Sequence, residues 1–145
     1  MVGLPVQAIA LNRMYPEGAV SLSHNALVWR GSLTPSQLSA TYTVQLVADN
    51  RGTMPEARVL APQLSPDAHG RLPHIWPNGS LCLNRKNRWS RRFIFAHTIV
   101  PWTSEWLLHY ELWKGSGVWY GDGTEAEIPE SQASLLHDYI YDARG

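Results

Sequence analysis

The segment Leu72 to Asn84 reads LPHIWPNGSLCLN and carries the only cysteine of the chain, Cys82. A thiol with an ordinary pKa near ~8.5 is a few per cent ionised at neutral pH, and that fraction is strongly nucleophilic. An acyl group on such a sulfur stays reactive toward amines. Asn78-Gly79 supplies a tight turn just before Cys82, which brings the thiol toward the surface. His74, eight residues upstream, can donate an N–H to a developing oxyanion or take a proton from an incoming amine. Asn78 and Asn84 flank the thiol and can offer amides, although Asn78 is equally explained as a turn former.

Other chemistries compete for these residues. A lone cysteine is often buried filler, since free cysteine is among the most buried residue types. A cysteine hydrolase needs a distant His and Asn or Asp that sequence alone cannot pair with Cys82. Zinc takes roughly four N or S ligands, and His74, His97 and His109 stand in neither a C-x-x-C nor an H-E-x-x-H arrangement, so no metal is expected. Arg85, Lys86, Arg88, Arg91 and Arg92 form a basic cluster beside Cys82, readable as a solvated loop or as a docking surface for an acidic partner. Trp89 and Phe93 interleave aromatic rings with that charge. Against nucleic acid stands the overall balance of 12 Lys plus Arg to 12 Asp plus Glu.

Positioning these groups requires a core, and 145 residues suffice for a single domain spanning residues 1–145. Thr41 to Ala48, TYTVQLVA, alternates Tyr42, Val44, Leu46 and Ala48 with smaller or polar residues and predicts a strand. Ala26 to Gly31 and Glu56 to Leu60 predict further strands, the latter after the Asp49-Asn50-Arg51-Gly52 turn, as in an antiparallel meander. Thr34-Pro35-Ser36-Gln37 has the pattern of a helix cap but leaves room for only a single turn, so a connecting loop is equally expected. Pro62 to Pro77 holds four prolines and reads as a long ordered loop.

Helices are predicted at Leu4 to Met14, at Pro101 to Trp113 and at Ser131 to Ala143. The second has Trp102, Trp106, Tyr110 and Trp113 on one side, Thr103 or Ser104 as its cap, and Gly115 and Gly117 as its stop. Trp102 is read as scaffold first, with partner binding as the alternative. Five of the seven tryptophans fall between Trp89 and Trp119, which suggests an aromatic core, a binding surface, or both. The order of elements argues for an α+β fold with the meander covered by helices on one face.

The segment around Cys82 resembles the active-site stretch of ubiquitin-conjugating enzymes. In that family a His-Pro-Asn motif precedes the thioester-forming cysteine, which follows the asparagine by eight residues; a glycine lies three residues before the cysteine and a leucine follows it. Pro73, Gly79, Cys82 and Leu83 match, and Trp89-Ser90 resembles a downstream Trp-Ser pair. Leu72 stands where the motif has histidine, and His74 where it has asparagine. A closer likeness is to the bacterial branch, on Pro73-His74, Gly79, Leu81-Cys82-Leu83, Pro101-Trp102, Glu105-Trp106-Leu107, Tyr110-Glu111, Trp113 and Trp119-Tyr120-Gly121.

That resemblance, over roughly Leu27 to Gly121, implies a ubiquitin-conjugating-enzyme-like fold with a four-stranded meander. It implies a stand-alone conjugating enzyme of antiphage operons, with Cys82 accepting a partner's carboxyl terminus and passing it to an amine. The implied partner is a cGAS-like cyclic-oligonucleotide synthase or a ubiquitin-like protein, with a separate activating enzyme as a further possibility. No cofactor is implied. A non-catalytic binding protein of the same fold is the alternative. No apolar run approaches the ~20 residues of a membrane span, the amino terminus lacks the pattern of a secretory signal, and a lone cysteine suits a reducing cytoplasm.

Overall fold

A computed structural model describes residues 1–83 and 88–120 of the protein. Side-chain alternation builds its sheet. Strand β3 (Tyr42–Asp49) buries Tyr42, Val44, Leu46 and Ala48 and turns the intervening residues outward, as a strand with one covered face must. Strand β2 (Ala26–Leu33) pairs antiparallel with it, Trp29 opposite Leu46 and Leu27 opposite Ala48. Strand β4 (Glu56–Ala61) pairs on the other side of β3, with Ala57 opposite Leu46 and a register shift at Thr43/Val44.

Strand β1 (Ala19–Leu22) completes the four-stranded order β1-β2-β3-β4. Residue pattern alone does not single it out: its short, mostly exposed course shows no alternation, and pairing to β2 defines it. The expected α+β architecture with an antiparallel four-stranded meander is what the chain adopts.

Helix α1 (Leu4–Met14) has Pro5 in its first turn, where a missing N–H costs nothing. Its inner side buries Leu4, Gln7, Ala8 and Leu11. Gln7 is buried because both ends of its amide are used: Nε2 donates to the Phe93 carbonyl at 2.9 Å and Oε1 accepts from the Phe95 amide at 2.8 Å. Segment 93–95 is thereby fastened to α1 before a single 3-10 turn, Phe95–His97, leads into the second helix.

Helix α2 (Ile99–Ser116) is buried around nearly its whole circumference from Ile99 to Tyr110, with only Trp102 partly exposed. It starts a few residues before the expected Pro101, so neither Thr103 nor Ser104 is its cap. The Thr103 hydroxyl instead donates to the Ile99 carbonyl at 2.7 Å inside the helix, an i−4 bond that satisfies a buried hydroxyl. Pro101 fits because it stays within the first turn, whose amides lack intrahelical partners. Gly115 is helical, and the stop is Gly117, left-handed at φ 78.

Leu11, Leu27, Trp29, Leu46, Ile99 and Leu107 belong to one core, in which α1 and α2 both lie on the Leu27/Trp29/Leu46 face of the sheet. Thr34 to Gln37 forms loop rather than helix, and between Ala61 and Pro77 there is neither helix nor extended strand. The helix expected at Ser131 to Ala143 lies outside the described residues. Among the described residues no helix is long and apolar enough to cross a membrane.

Candidate functional site

Cys82 closes a small hairpin whose geometry follows from its residues. The Gly79 amide donates to the Trp76 carbonyl at 2.9 Å, giving a turn with Pro77 at its second position and Gly79 left-handed at φ 87. This is the arrangement in which proline presets one φ and glycine supplies the positive one. Two arms then pair: the Trp76 amide donates to the Ser80 carbonyl, Ile75 bridges Leu81, and the Cys82 amide donates to the His74 carbonyl, the first and last bonds at 2.9 Å.

Alternation within the hairpin separates core from site. Leu81 is buried in the core and Ile75 packs against it. His74 and Cys82 occupy the positions between, and Cys82 is a partly exposed thiol outside any disulfide. The hairpin is docked on β4: the Leu81 amide donates to the Ala57 carbonyl at 2.8 Å, and Arg58 donates to the Asn78 carbonyl.

Asn78 is placed as a turn residue. Its Oδ1 accepts from the Ser80 amide at 3.0 Å and the Ser80 hydroxyl at 2.6 Å, while Nδ2 donates to Glu56 at 3.3 Å. All the described partners of its amide hold the turn and β4.

His74 has φ 52, the only left-handed non-glycine residue among those described. Such a conformation is uncommon outside glycine and costs about 1–2 kcal/mol. Its surroundings oppose that cost. The His74 carbonyl accepts from the Cys82 amide and also from the Trp106 indole, the latter at 3.0 Å. The imidazole stacks on Trp119, ring centres 4.7 Å apart and planes 23° apart. Leu72, in the motif's histidine position, packs against the core, as does Trp119.

Trp106 links this site to the scaffold. It is buried on α2, stacks on Tyr110 at 5.8 Å and 7°, and lies 5.3 Å from Trp119. The Tyr110 hydroxyl in turn accepts the Ser65 amide at 2.8 Å, fixing the proline-rich loop that leads to His74. Within the same loop the Asp67 carboxylate accepts the backbone amides of His69 and Arg71, which hold its pKa below the usual value. Trp102 is partly exposed and meets Phe93 edge-on at 6.0 Å and 89°.

Of the residues singled out in the sequence, Cys82, His74 and Asn78 come together in one hairpin. Arg88 is exposed a short way downstream of it. Asn84, Arg85 and Lys86 lie outside the described residues. Trp106 is legible in the periodicity of the helix and Trp119 only as part of a resemblance, and nothing in their spacing shows that both reach His74. Among the described residues, His, Cys, Asp and Glu form no group of three or more able to hold a metal ion.

What the hairpin presents is a cysteine thiol on the arm opposite a histidine whose backbone is fixed from two sides. Residues 7–126, which include the hairpin, α2 and Trp119, match the profile of a protein family described as E2-CBASS, Type II CBASS E2 protein. No curated protein matches the chain.

Proposed function

The chain belongs to the Type II CBASS E2 family, a family of antiphage defence, and on that premise we propose that it is a conjugating enzyme acting through a thioester on Cys82. The thiolate of Cys82 attacks the activated carboxyl terminus of a protein partner, the tetrahedral adduct collapses, and the activating group leaves. An amine then attacks the thioester, the carbon–sulfur bond breaks, and an amide and the free thiol result. Activation of the carboxylate belongs to a separate ATP-using enzyme. The partner is a cGAS-like nucleotidyltransferase or a ubiquitin-like protein.

Supporting the reading above all is a partly exposed thiol held across a hairpin from His74. A thiol meant only for packing would sit where Leu81 sits. In both steps negative charge gathers on the carbonyl oxygen, and an imidazole N–H can stabilise it; loss of one such donor typically costs about 10²–10³ in rate. Alternatively the neutral imidazole of His74 takes the proton of the attacking amine. Basic residues near the site, Arg88 among them, suit an acidic partner surface.

The test is direct. Mix the protein with the products of its neighbouring genes and ATP, and look for an adduct that thiol reductants release. It should form on the wild type and be absent from Cys82→Ala. An adduct that persists in Cys82→Ala would eliminate the thioester mechanism, and a folded His74→Ala protein as active as wild type would remove the histidine from it.

A further inference from the structure

The imidazole of His74 rests on a built platform. Helix α2 ends at Gly117, whose amide donates to the Trp113 carbonyl at 2.8 Å, and the Ser116 hydroxyl accepts the Val118 amide at 3.1 Å. That compact reversal sends the chain back along α2. Trp119 then meets three rings at once: His74 at 4.7 Å, Trp106 at 5.3 Å and His109 at 5.7 Å. His109 is 1% exposed and paired with the buried Glu105 at 3.4 Å, so the inner wall of the platform is fixed.

From this arrangement we infer that Trp119 is a positioning residue, acting on Cys82 only through His74. The two rings lie within 23° of parallel. A stack engages the faces of an imidazole, whereas its nitrogens form their bonds in the ring plane. Rotation about the ring's terminal torsion, otherwise soft, would break the stack, so Trp119 fixes the plane in which His74 presents its nitrogens. Trp106 completes the device by holding the carbonyl of the same residue, so that ring and backbone are anchored to the same pair of tryptophans. The inference deepens the reading of Cys82 as a reactive thiol and rests on it.

Its test needs no partner, so its failure and that of the thioester reading can be told apart. Cys82 is the only cysteine, so alkylation of the purified protein by iodoacetamide at fixed pH reports that thiol alone. His74→Gln and Trp119→Leu should each change the alkylation rate by about fivefold, the size expected for loss of one aromatic pair. The double variant should change it no further, because the second residue acts through the first. Trp119→Phe, which keeps a stacking face, should restore the wild-type rate.

In the nuclear magnetic resonance spectrum the His74 ring protons, assigned by their loss in His74→Gln, should be shifted upfield by the indole in wild type and lose that shift in Trp119→Leu. Additive effects, or a wild-type rate in Trp119→Leu with the ring shift gone, overturn the inference. Should Trp119→Leu not fold, unshifted His74 ring protons in the wild-type protein overturn it equally.

Discussion

The Cys82 amide donates to the His74 carbonyl at 2.9 Å, and the Trp106 indole donates to the same oxygen at 3.0 Å. One carbonyl thus ties the residue bearing the thiol, the residue bearing the imidazole and the central helix together. Both lone pairs of the oxygen are used. That explains how a histidine can keep a left-handed backbone here: relaxing it would cost two hydrogen bonds and the stack on Trp119.

Trp106→Phe removes one of those donors and keeps the stacking surface toward Tyr110. The His74 carbonyl still accepts from Cys82, so the loss is one hydrogen bond, about 1 kcal/mol, plus a similar cost for the space the smaller ring leaves in the core. Urea unfolding should show that decrease with an unchanged slope. Amide exchange at Cys82 should accelerate, since the hairpin loses an anchor to α2.

Gly79→Ala strains the turn itself. Gly79 has φ 87, and an added Cβ would stand 3.0 Å from Arg58 Nη1, the group that donates to the Asn78 carbonyl. The expected loss is about 1–2 kcal/mol. Because the turn sets the register of 74 against 82, alkylation of Cys82 should change as well. Asn78→Gly, which keeps backbone freedom and deletes only the side-chain bonds to Ser80 and Glu56, should leave alkylation closer to wild type. Equal effects from the two variants would speak against register as the cause.

Much of the frame was readable because it depends on local pattern. Period-two burial marked β3, and proline, turn residues and glycine marked the ends of the other elements. The turn before Cys82 was legible in Pro77-Asn78-Gly79, since those residue types admit few turns, but the pairing of its two arms was not. Strand β1 was not, because a short edge strand with little to bury carries no period and exists through its pairing with β2. The start of α2 was misplaced for a related reason: Thr103 and Ser104 look like capping residues, yet the helix is buried so fully that their hydroxyls lie inside it. Trp119 reaches His74 only after α2 has ended and the chain has doubled back, a relationship that no sequence spacing encodes.

Gly31→Ala should be among the most damaging small substitutions. An added Cβ would overlap the ring of Trp29, which is 1% exposed and packed in the core. Overpacking of this kind costs about 1–3 kcal/mol. A fall in thermal midpoint with retained secondary structure would be the result. Gly115→Ala, where nothing stands within 4 Å of the new Cβ, should instead be neutral or raise stability by up to about 1 kcal/mol.

Asp67 gives a pH signature on the loop that leads to His74. Its carboxylate accepts the amides of Arg71 at 3.0 Å and His69 at 2.8 Å, and these bonds lower its pKa. A lowered folded value means the ionised form is the one the fold favours. The contribution of these bonds to the loop is therefore fully present above the ordinary aspartate range near ~3.9 and is lost as pH falls through the lower folded value. The His69 and Arg71 amide resonances should titrate together below that range. In Asp67→Asn the step should vanish, while Cys82 alkylation at neutral pH changes little.

Tyr42, bonded to Glu111 on α2, supplies the opposite sign. Its hydroxyl donates to Glu111 at 2.7 Å, and Glu111 also accepts from the Ser39 hydroxyl at 2.5 Å and the Ala40 amide at 3.3 Å. Burial first, then the hydrogen bond and the negative charge of Glu111, push the Tyr42 phenol well above its usual range. A phenol raised on folding favours the protonated form. Its contribution is fully present below the unfolded value near ~10 and is lost as pH rises from there toward the folded one. Wild type should therefore lose stability in alkali faster than Tyr42→Phe, although the variant is less stable by about 1 kcal/mol at neutral pH because Glu111 loses one donor. Denaturant titrations of both proteins at neutral and alkaline pH should show the gap between them closing as pH rises; a constant gap would mean that Tyr42 ionises only after the protein has unfolded for other reasons.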